Sequence, residues 1–574
     1  MASERGSDLE RPPWLAEALW IAAASAVAIW IVAGAWHGAL DAITDTGRDL
    51  LIPEQLRAGA RLYRDVLYYY PPLAPYFLAA LTALTGSSLA AYTAIGTAIA
   101  LLTAGALYAA ARVTGGVHAA GAATLLFVSG SVYSVSGRTM NYLIPYAYAA
   151  TLAMLFFLSA AAFLALFLFV RRRGVWMALA VALLLAASWT KIEYAAFSLL
   201  VLLVATLAYR VPFRWMAAYA VAGVLSLVAV SLFFADAPAG QHWLRHNVLA
   251  PSLLRGEPAR YFYKQVMGFD AAGANLLAAA AGALLTAAMA ALVLWAGRAR
   301  RPFVTVLAGV LLALAAVAGG GVFTRGWALL QVALVPLALR RRDPLLLLIT
   351  LSLCGSSRVF LRLFPAWYGF VFVLPSYLLI VYVLFEWLPA RGLYSRQTAL
   401  LWSAPLIVIC AQLLVAEQRI LARKIHPVYT DRGVFYEANG DRAAVLSAFL
   451  ADLDARRPRS LVVIPEGLTL NYLARVPNPL IFHTFTPVET ADPEIERQII
   501  RQMGEREPQL IAVVTRSVSD FGFRAFGIDY NRELAALIRE RYTVVKEWRL
   551  PGFELILLER AGGGPSEAVL SSAP

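Results

Sequence analysis

Asp41, Asp45 and Asp49 stand four residues apart between two hydrophobic stretches near the amino end of this 574-residue chain. The segment continues through Arg48, Pro53-Glu54 and Gly59 to Leu62-Tyr63-Arg64-Asp65-Val66 and Tyr68-Tyr69-Tyr70-Pro71-Pro72. Ionised carboxylates beside a bilayer are costly and are retained for a task. If residues 45–55 are partly helical, Asp45 and Asp49 share a face with Asp41 one turn earlier, and three like charges there repel. Arg48, a cationic substrate, a metal or a raised carboxylate pKa would each compensate. A carboxylate at a membrane-level cavity can take a proton from an acceptor hydroxyl or amine. A solvated interfacial loop of salt bridges fits the same spacing.

The elements that position this segment are membrane spans. Hydrophobic residues make up 60% of the chain and charged residues 15%, with a mean hydropathy of +0.66. Soluble domains carry roughly a quarter charged residues, so the composition is that of an integral membrane protein. The net charge of +13 does not indicate nucleic acid, because the arginines fall in short clusters between apolar runs, where topology rules place them. Cys354 and Cys410 both lie in hydrophobic segments and suggest neither a disulfide framework nor a metal site.

Trp14 to Trp36 is apolar and long enough to be a first span rather than a cleavable signal. Arg5 and Arg11 before it predict a cytoplasmic amino terminus. Length and hydropathy predict about 13 spans, near 14–36, 87–111, 116–136, 143–170, 174–190, 193–210, 215–235, 271–297, 302–320, 325–339, 343–357, 366–388 and 398–415. Alternation then gives the inner loops Arg112, Arg171 to Arg173, Arg210 with Arg214, Arg298 to Arg301, Arg340 to Arg342, and Arg391 with Arg396. That is a positive-inside pattern. It places the first loop (37–86), a central loop (236–270) and the carboxyl-terminal segment on the outer face of the cytoplasmic membrane.

Beyond about residue 418 charges of both signs appear and apolar runs shorten to strand length. Strands are expected at 461–465, 510–515, 542–546 and 554–558, and helices at 440–456, 492–504 and 532–541. The expected fold class is therefore an α-helical polytopic membrane protein with a C-terminal α/β extracytoplasmic domain. Residues 1–417 would form the transmembrane domain, 418–560 the α/β domain and 561–574 a disordered tail.

The first loop resembles the signature loop of the GT-C superfamily, the multi-spanning glycosyltransferases that use polyprenyl-phosphate-linked sugars. Within it the chain is similar to the family-39-like group that includes protein O-mannosyltransferases and lipid A aminoarabinose transferases. The matching residues are Asp45, Arg48, Gly59, Tyr63-Arg64-Asp65 and Pro71-Pro72. The resemblance implies that Asp45 is the base that deprotonates the acceptor, with Arg48 orienting it or contacting phosphate. Asp49 and Asp65 are the other candidates for a catalytic or structural acid, and Arg64 lies in the same motif. Such enzymes often carry a second acid near the second outer loop, where this chain reads Gly137-Arg138-Thr139-Met140-Asn141-Tyr142 without a carboxylate. Glu193, near Lys191, could substitute for it; a Lys191–Glu193 surface pair is the plainer reading.

A lipid-phosphate leaving group needs cations, and arginine offers a fixed fork of donors suited to phosphate oxygens. Arg138, Arg325, Arg358 and Arg362 are expected at outer helix ends. The central loop adds His242, Arg245, His246, Arg255, Arg260 and Lys264, with Tyr261 and Tyr263 interleaved. Arg358, close to Trp367-Tyr368-Gly369-Phe370, is the first choice for phosphate. Each of these arginines could equally contact a lipid headgroup; together they favour an anionic ligand. His242 and His246 have helical spacing but lack the glutamate of a zincin pattern, and no metal site is assigned. No cofactor is required by any motif, although a divalent metal stays open.

The expected partners are a polyprenyl-phosphate-sugar donor, membrane lipids, and a lipid, glycan or protein acceptor. A transporter or lipid flippase is the rival, in which charges line a path near the midplane and repeats are inverted. The charges of this chain gather at one face and no repeat is visible. An inactive GT-C-like scaffold is the third reading.

Overall fold

The computed structural model describes residues 13–235, 256–339 and 343–561. The apolar runs form helices α1 (Pro13–Ala35), α4 (Leu89–Gly130), α5 (Tyr148–Val170), α6 (Gly174–Thr190), α7 (Glu193–Tyr209) and α8 (Arg214–Phe233). They continue as α10 (Ala272–Ala299), α11 (Pro302–Ala338), α12 (Leu345–Ser356), α13 (Gly369–Ala390) and α14 (Arg396–Leu421). Between them lie α2 (Gly47–Arg57), α3 (Leu73–Thr85) and α9 (Glu257–Met267). Helix α13 is almost wholly inside the bundle, whereas α8 turns nearly its entire apolar surface outward, as a lipid-facing helix does.

Among the described residues, eight helices are long and apolar enough to cross a membrane, and four apolar helices are shorter. The runs 87–111 and 116–136 form two helices, the arms of α4, which meet at a kink where Gly116 leaves helical geometry with φ 76°. The division into spans differs from expectation at one place. The runs 302–320 and 325–339 form the single helix α11, although Gly319-Gly320-Gly321 looks like a break. Glycine in an apolar bundle serves close helix approach as well as turning. A Cβ on Gly326 would overlap the backbone of Gly282 in α10, and one on Gly319 would overlap Leu285.

The carboxyl-terminal part opens with an antiparallel hairpin, β1 (His426–Thr430) and β2 (Gly433–Glu437), which the sequence reading did not anticipate. It continues through α15 (Gly440–Arg456), β3 (Leu461–Ile464), α16 (Leu468–Ala474), α17 (Pro493–Arg506), β4 (Leu510–Val514), α18 (Arg532–Arg541), β5 (Tyr542–Leu550) and β6 (Phe553–Arg560). The four-stranded sheet has the order β3-β4-β6-β5, with β3 and β4 parallel and the other neighbours antiparallel. The chain is thus a mostly helical polytopic protein with a sheet-containing C-terminal domain.

This domain is fastened to the first loop. Arg432 grips both carboxylate oxygens of Glu54 at 2.6 and 2.7 Å and stacks over Tyr472. Leu67 N–H donates to Ile481 C=O at 3.0 Å, and Tyr436 N–H to His37 C=O at 2.8 Å. Helix α2 meets α16 so closely that a Cβ on Gly47 would overlap the backbone of Leu468 and Thr469.

Candidate functional site

A cavity of about 680 Å³ lies between the first loop, the 136–146 segment, α9, the start of α13 and the C-terminal domain. Its polar wall carries Asp45, Arg48, Arg138, Glu466, Glu489 and Arg516. The aromatic wall includes Tyr70, Tyr146, Phe262, Tyr263, Trp367 and Tyr368. Arrays of this kind suit a polyhydroxylated ligand carrying negative charge, because rings offer stacking faces and arginines offer forks of donors.

The three aspartates of the first loop do not share a face. Helix α2 begins at Gly47 with Thr46 as its cap, so Asp45 lies outside it, in the left-handed region at φ 56°. Asp41 is buried, accepts from the backbone N–H groups of Ile43 and Thr44, and faces Arg442 at 3.7 Å. Asp49 is sealed beneath the cavity, where it accepts from Tyr148 N–H at 2.7 Å and Tyr68 O–H at 3.2 Å. It thereby satisfies a free amide at the start of α5, which is a structural task. The repulsion expected from spacing is relieved because Asp41 and Asp49 each have partners of their own and Asp45 stands off the helix.

Asp45 alone of the three opens on the cavity. Its backbone N–H donates to Glu466 Oε1 at 2.6 Å. Burial, and then the Glu466 carboxylate, push its carboxyl up to about 8, while Arg48 and Arg516 pull the other way. A carboxyl in that range is matched to exchanging a proton near neutral pH. Arg48 donates to Tyr146 C=O at 3.2 Å and lies over the Tyr70 ring at 5.1 Å. The Asp49 carboxylate favours its charged guanidinium despite burial.

Arg64 and Asp65 are not brought to the cavity. They pair with each other at 2.7 Å on a partly exposed stretch, and Asp65 also accepts from Arg61 N–H. Of the other two candidates for a catalytic acid, Asp49 is thus enclosed and Asp65 lies away from the cavity.

Lys191 and Arg358 stand behind the aromatic wall. Lys191 caps the end of α6, reaches Tyr146 O–H at 3.4 Å and lies 5.1 Å from the Tyr70 ring centre. Its pairing with Glu193, at 3.2 Å, is buried rather than the surface pair expected. Arg358 sits over the Tyr263 ring at 4.4 Å and shares the Phe372 ring with Lys191. Arg138 is exposed on the cavity rim and Tyr263 lines it. Arg362 pairs instead with Asp270 at 2.7 Å. His242 and Arg245 lie outside the described residues, as do His246 and Arg255.

Three charged residues of the cavity wall were not assigned from sequence: Glu466, Glu489 and Arg516. Glu466 and Arg516 leave the carboxyl ends of the parallel strands β3 and β4, where ligand loops gather, and pair at 2.8 Å. His483, also beyond β3, is buried with neither ring nitrogen hydrogen-bonded among the described residues. Burial and nearby Arg48 push its imidazole down to about 3. Among the described residues no group of three or more His, Cys, Asp or Glu side chains is arranged to hold a metal.

An apolar groove of about 380 Å³ between α6, α7 and α8 is lined by Trp189, Ile192, Leu199, Tyr219 and Leu227 among others. Trp189 and Ile192 flank Lys191 within two residues in sequence.

No protein-family model matches the chain, and no curated protein is similar to it in sequence. Solved structures similar to it include ArnT from Cupriavidus metallidurans bound to undecaprenyl phosphate, at 16% identity and a TM-score of 0.45, over 95% of this chain and 99% of that one. Another is the archaeal oligosaccharyltransferase AglB from Archaeoglobus fulgidus, in complex with an inhibitory peptide and a dolichol-phosphate. It has 13% identity and a TM-score of 0.49, over 94% of this chain and 74% of that one.

Proposed function

We propose that this chain is a membrane glycosyltransferase that moves a sugar from a polyprenyl-phosphate-linked donor to an acceptor on the outer face of the cytoplasmic membrane. Asp45 is the base. The observation that carries this reading is the placement of Asp45 at the wall of a cavity with three arginines, Arg48, Arg138 and Arg516. The apolar groove between α6, α7 and α8 supports a lipid-linked donor, because a polyprenyl chain needs an apolar surface to lie on.

In this mechanism the acceptor hydroxyl gives its proton to the Asp45 carboxylate as its oxygen attacks the anomeric carbon. The bond from that carbon to the phosphate oxygen breaks, and the electron pair leaves with the polyprenyl phosphate. Attack opposite the leaving group inverts the anomeric centre. Cations already in place stabilise the charge that develops on the phosphate without reorganising. Lys191 and Arg358 are the residues we assign to that charge, with Glu193 keeping Lys191 oriented.

Asp45→Asn tests the reading. General-base catalysis contributes roughly 10²- to 10⁴-fold, so the variant should lose transfer by that factor while its thermal unfolding in detergent stays within a few degrees of wild type. The assay is incorporation of labelled sugar from native membrane lipids into membrane or envelope acceptors. Full transfer by the variant would remove Asp45 from the chemistry, and no transfer by wild type would return the transporter reading.

A further inference from the structure

We propose that Glu466 of the C-terminal domain is the positioning residue of Asp45: with Arg516 it holds the Asp45 backbone and sets the charge at which that carboxylate works. The inference rests on the reading of Asp45 as base and deepens it, because it makes the site bipartite.

Geometry carries the argument. Asp45 is a non-glycine residue in left-handed backbone geometry, which persists only where the surroundings over-determine it. The restraint in contact with it is Glu466, whose Oε1 accepts the Asp45 N–H at 2.6 Å. The other oxygen of Glu466 accepts from Arg516 Nε at 2.8 Å, and Arg516 is held in turn by Asp520 at 3.2 Å. One carboxylate therefore bridges the first loop and a cation. Glu466 is itself buried, so its orientation is fixed by these two bonds.

The local backbone is shaped for this approach. Gly467 turns at φ 143°, which releases the chain from β3 into α16, and Gly47 lets α2 press against Leu468 and Thr469. No side chain at either glycine would allow the same contact. The charged and titratable groups facing Asp45 come from every side: Glu466, Glu489 and Arg516 from the C-terminal domain, Arg48 from α2, and Tyr146 and Tyr368 from the bundle. Within that set the two nearest charges from the C-terminal domain act in opposite directions. Glu466 disfavours ionisation of Asp45 and Arg516 favours it.

The test uses the full-length protein in detergent and reads Asp45 directly. Dicyclohexylcarbodiimide modifies protonated carboxyls, and peptide mass spectrometry resolves modification at Asp45 as pH is varied, without any donor. Glu466→Gln keeps an accepting oxygen but removes the charge. The midpoint for Asp45 labelling should fall by about one pH unit or more, a tenfold change in proton affinity. Arg516→Gln should move the midpoint up. Opposite shifts support the proposal even if Asp45→Asn proves active, in which case only the catalytic reading fails. Coincident curves for wild type and both variants overturn the proposal whatever the transfer activity. If Glu466→Gln does not fold, Arg516→Gln alone decides: an upward shift supports the proposal and an unchanged midpoint overturns it.

Discussion

Asp49 and Asp65 show how little residue type says about cost. Asp49 is 1% exposed, faces the buried Arg48 and satisfies an amide of α5. Truncating one member of a buried pair leaves an uncompensated charge and costs about 3–5 kcal/mol. Asp49→Ala should therefore unfold at a markedly lower temperature, or fail to accumulate. Asp65 meets Arg64 with both side chains more than a third exposed, and such pairs contribute less than about 1 kcal/mol. Asp65→Asn should leave the thermal midpoint nearly unchanged. Thermal unfolding of the two variants side by side is the measurement, and equal losses would contradict the assignment of different roles.

At the scale of elements, the legible parts of the chain were those with a strong period. Helix α15 spans the 440–456 expected from apolar spacing, and the four strands of the larger sheet fall on the four short apolar runs. The break at Gly116 coincides with the polar Arg112 loop between two apolar runs. Helix α11 runs unbroken through the boundary that length and hydropathy placed between 302–320 and 325–339, where Gly319 and Gly326 pack closely against α10. The β1–β2 hairpin was hidden because its short strands lack an apolar run. In the site, Asp45 and Arg48 stood out through their place after the first apolar run. Glu466 and Arg516 could not, since their pairing depends on which strands lie parallel. The α2–α16 contact yields a prediction at this scale. Gly47→Ala forces backbone apart rather than displacing a flexible side chain. Overpacking of this sort costs about 1–3 kcal/mol, and it should also depress transfer by drawing Glu466 away from Asp45. A lower thermal midpoint with unaltered transfer would show that the two effects are separable.

For the whole molecule the question is what keeps the C-terminal domain seated over the first loop. The Arg432–Glu54 pair is largely buried, bidentate and stacked on Tyr472, and Ser87 also donates to Glu54. A fork-to-fork pair is the strong form of an ion pair. Arg432→Ala should loosen the seating without melting the bundle, read as faster amide hydrogen exchange in both 47–57 and 468–476. Exchange rising in only one of the two would mean that the other elements hold the domain unaided.

The hydrogen bond that joins Asp45 to Glu466 spans 421 residues of sequence. Ribosomes add about 5–20 residues per second, so the first loop waits on the order of a minute before its counterpart exists. During that interval the acid at position 45 has neither its clamp nor its cation from the far end of the chain. A polypeptide cut short before residue 466 therefore carries the Asp45 carboxyl without the group that holds its backbone. Under the proposed function such truncated chains in the membrane should be inert, so that completion of synthesis licenses activity.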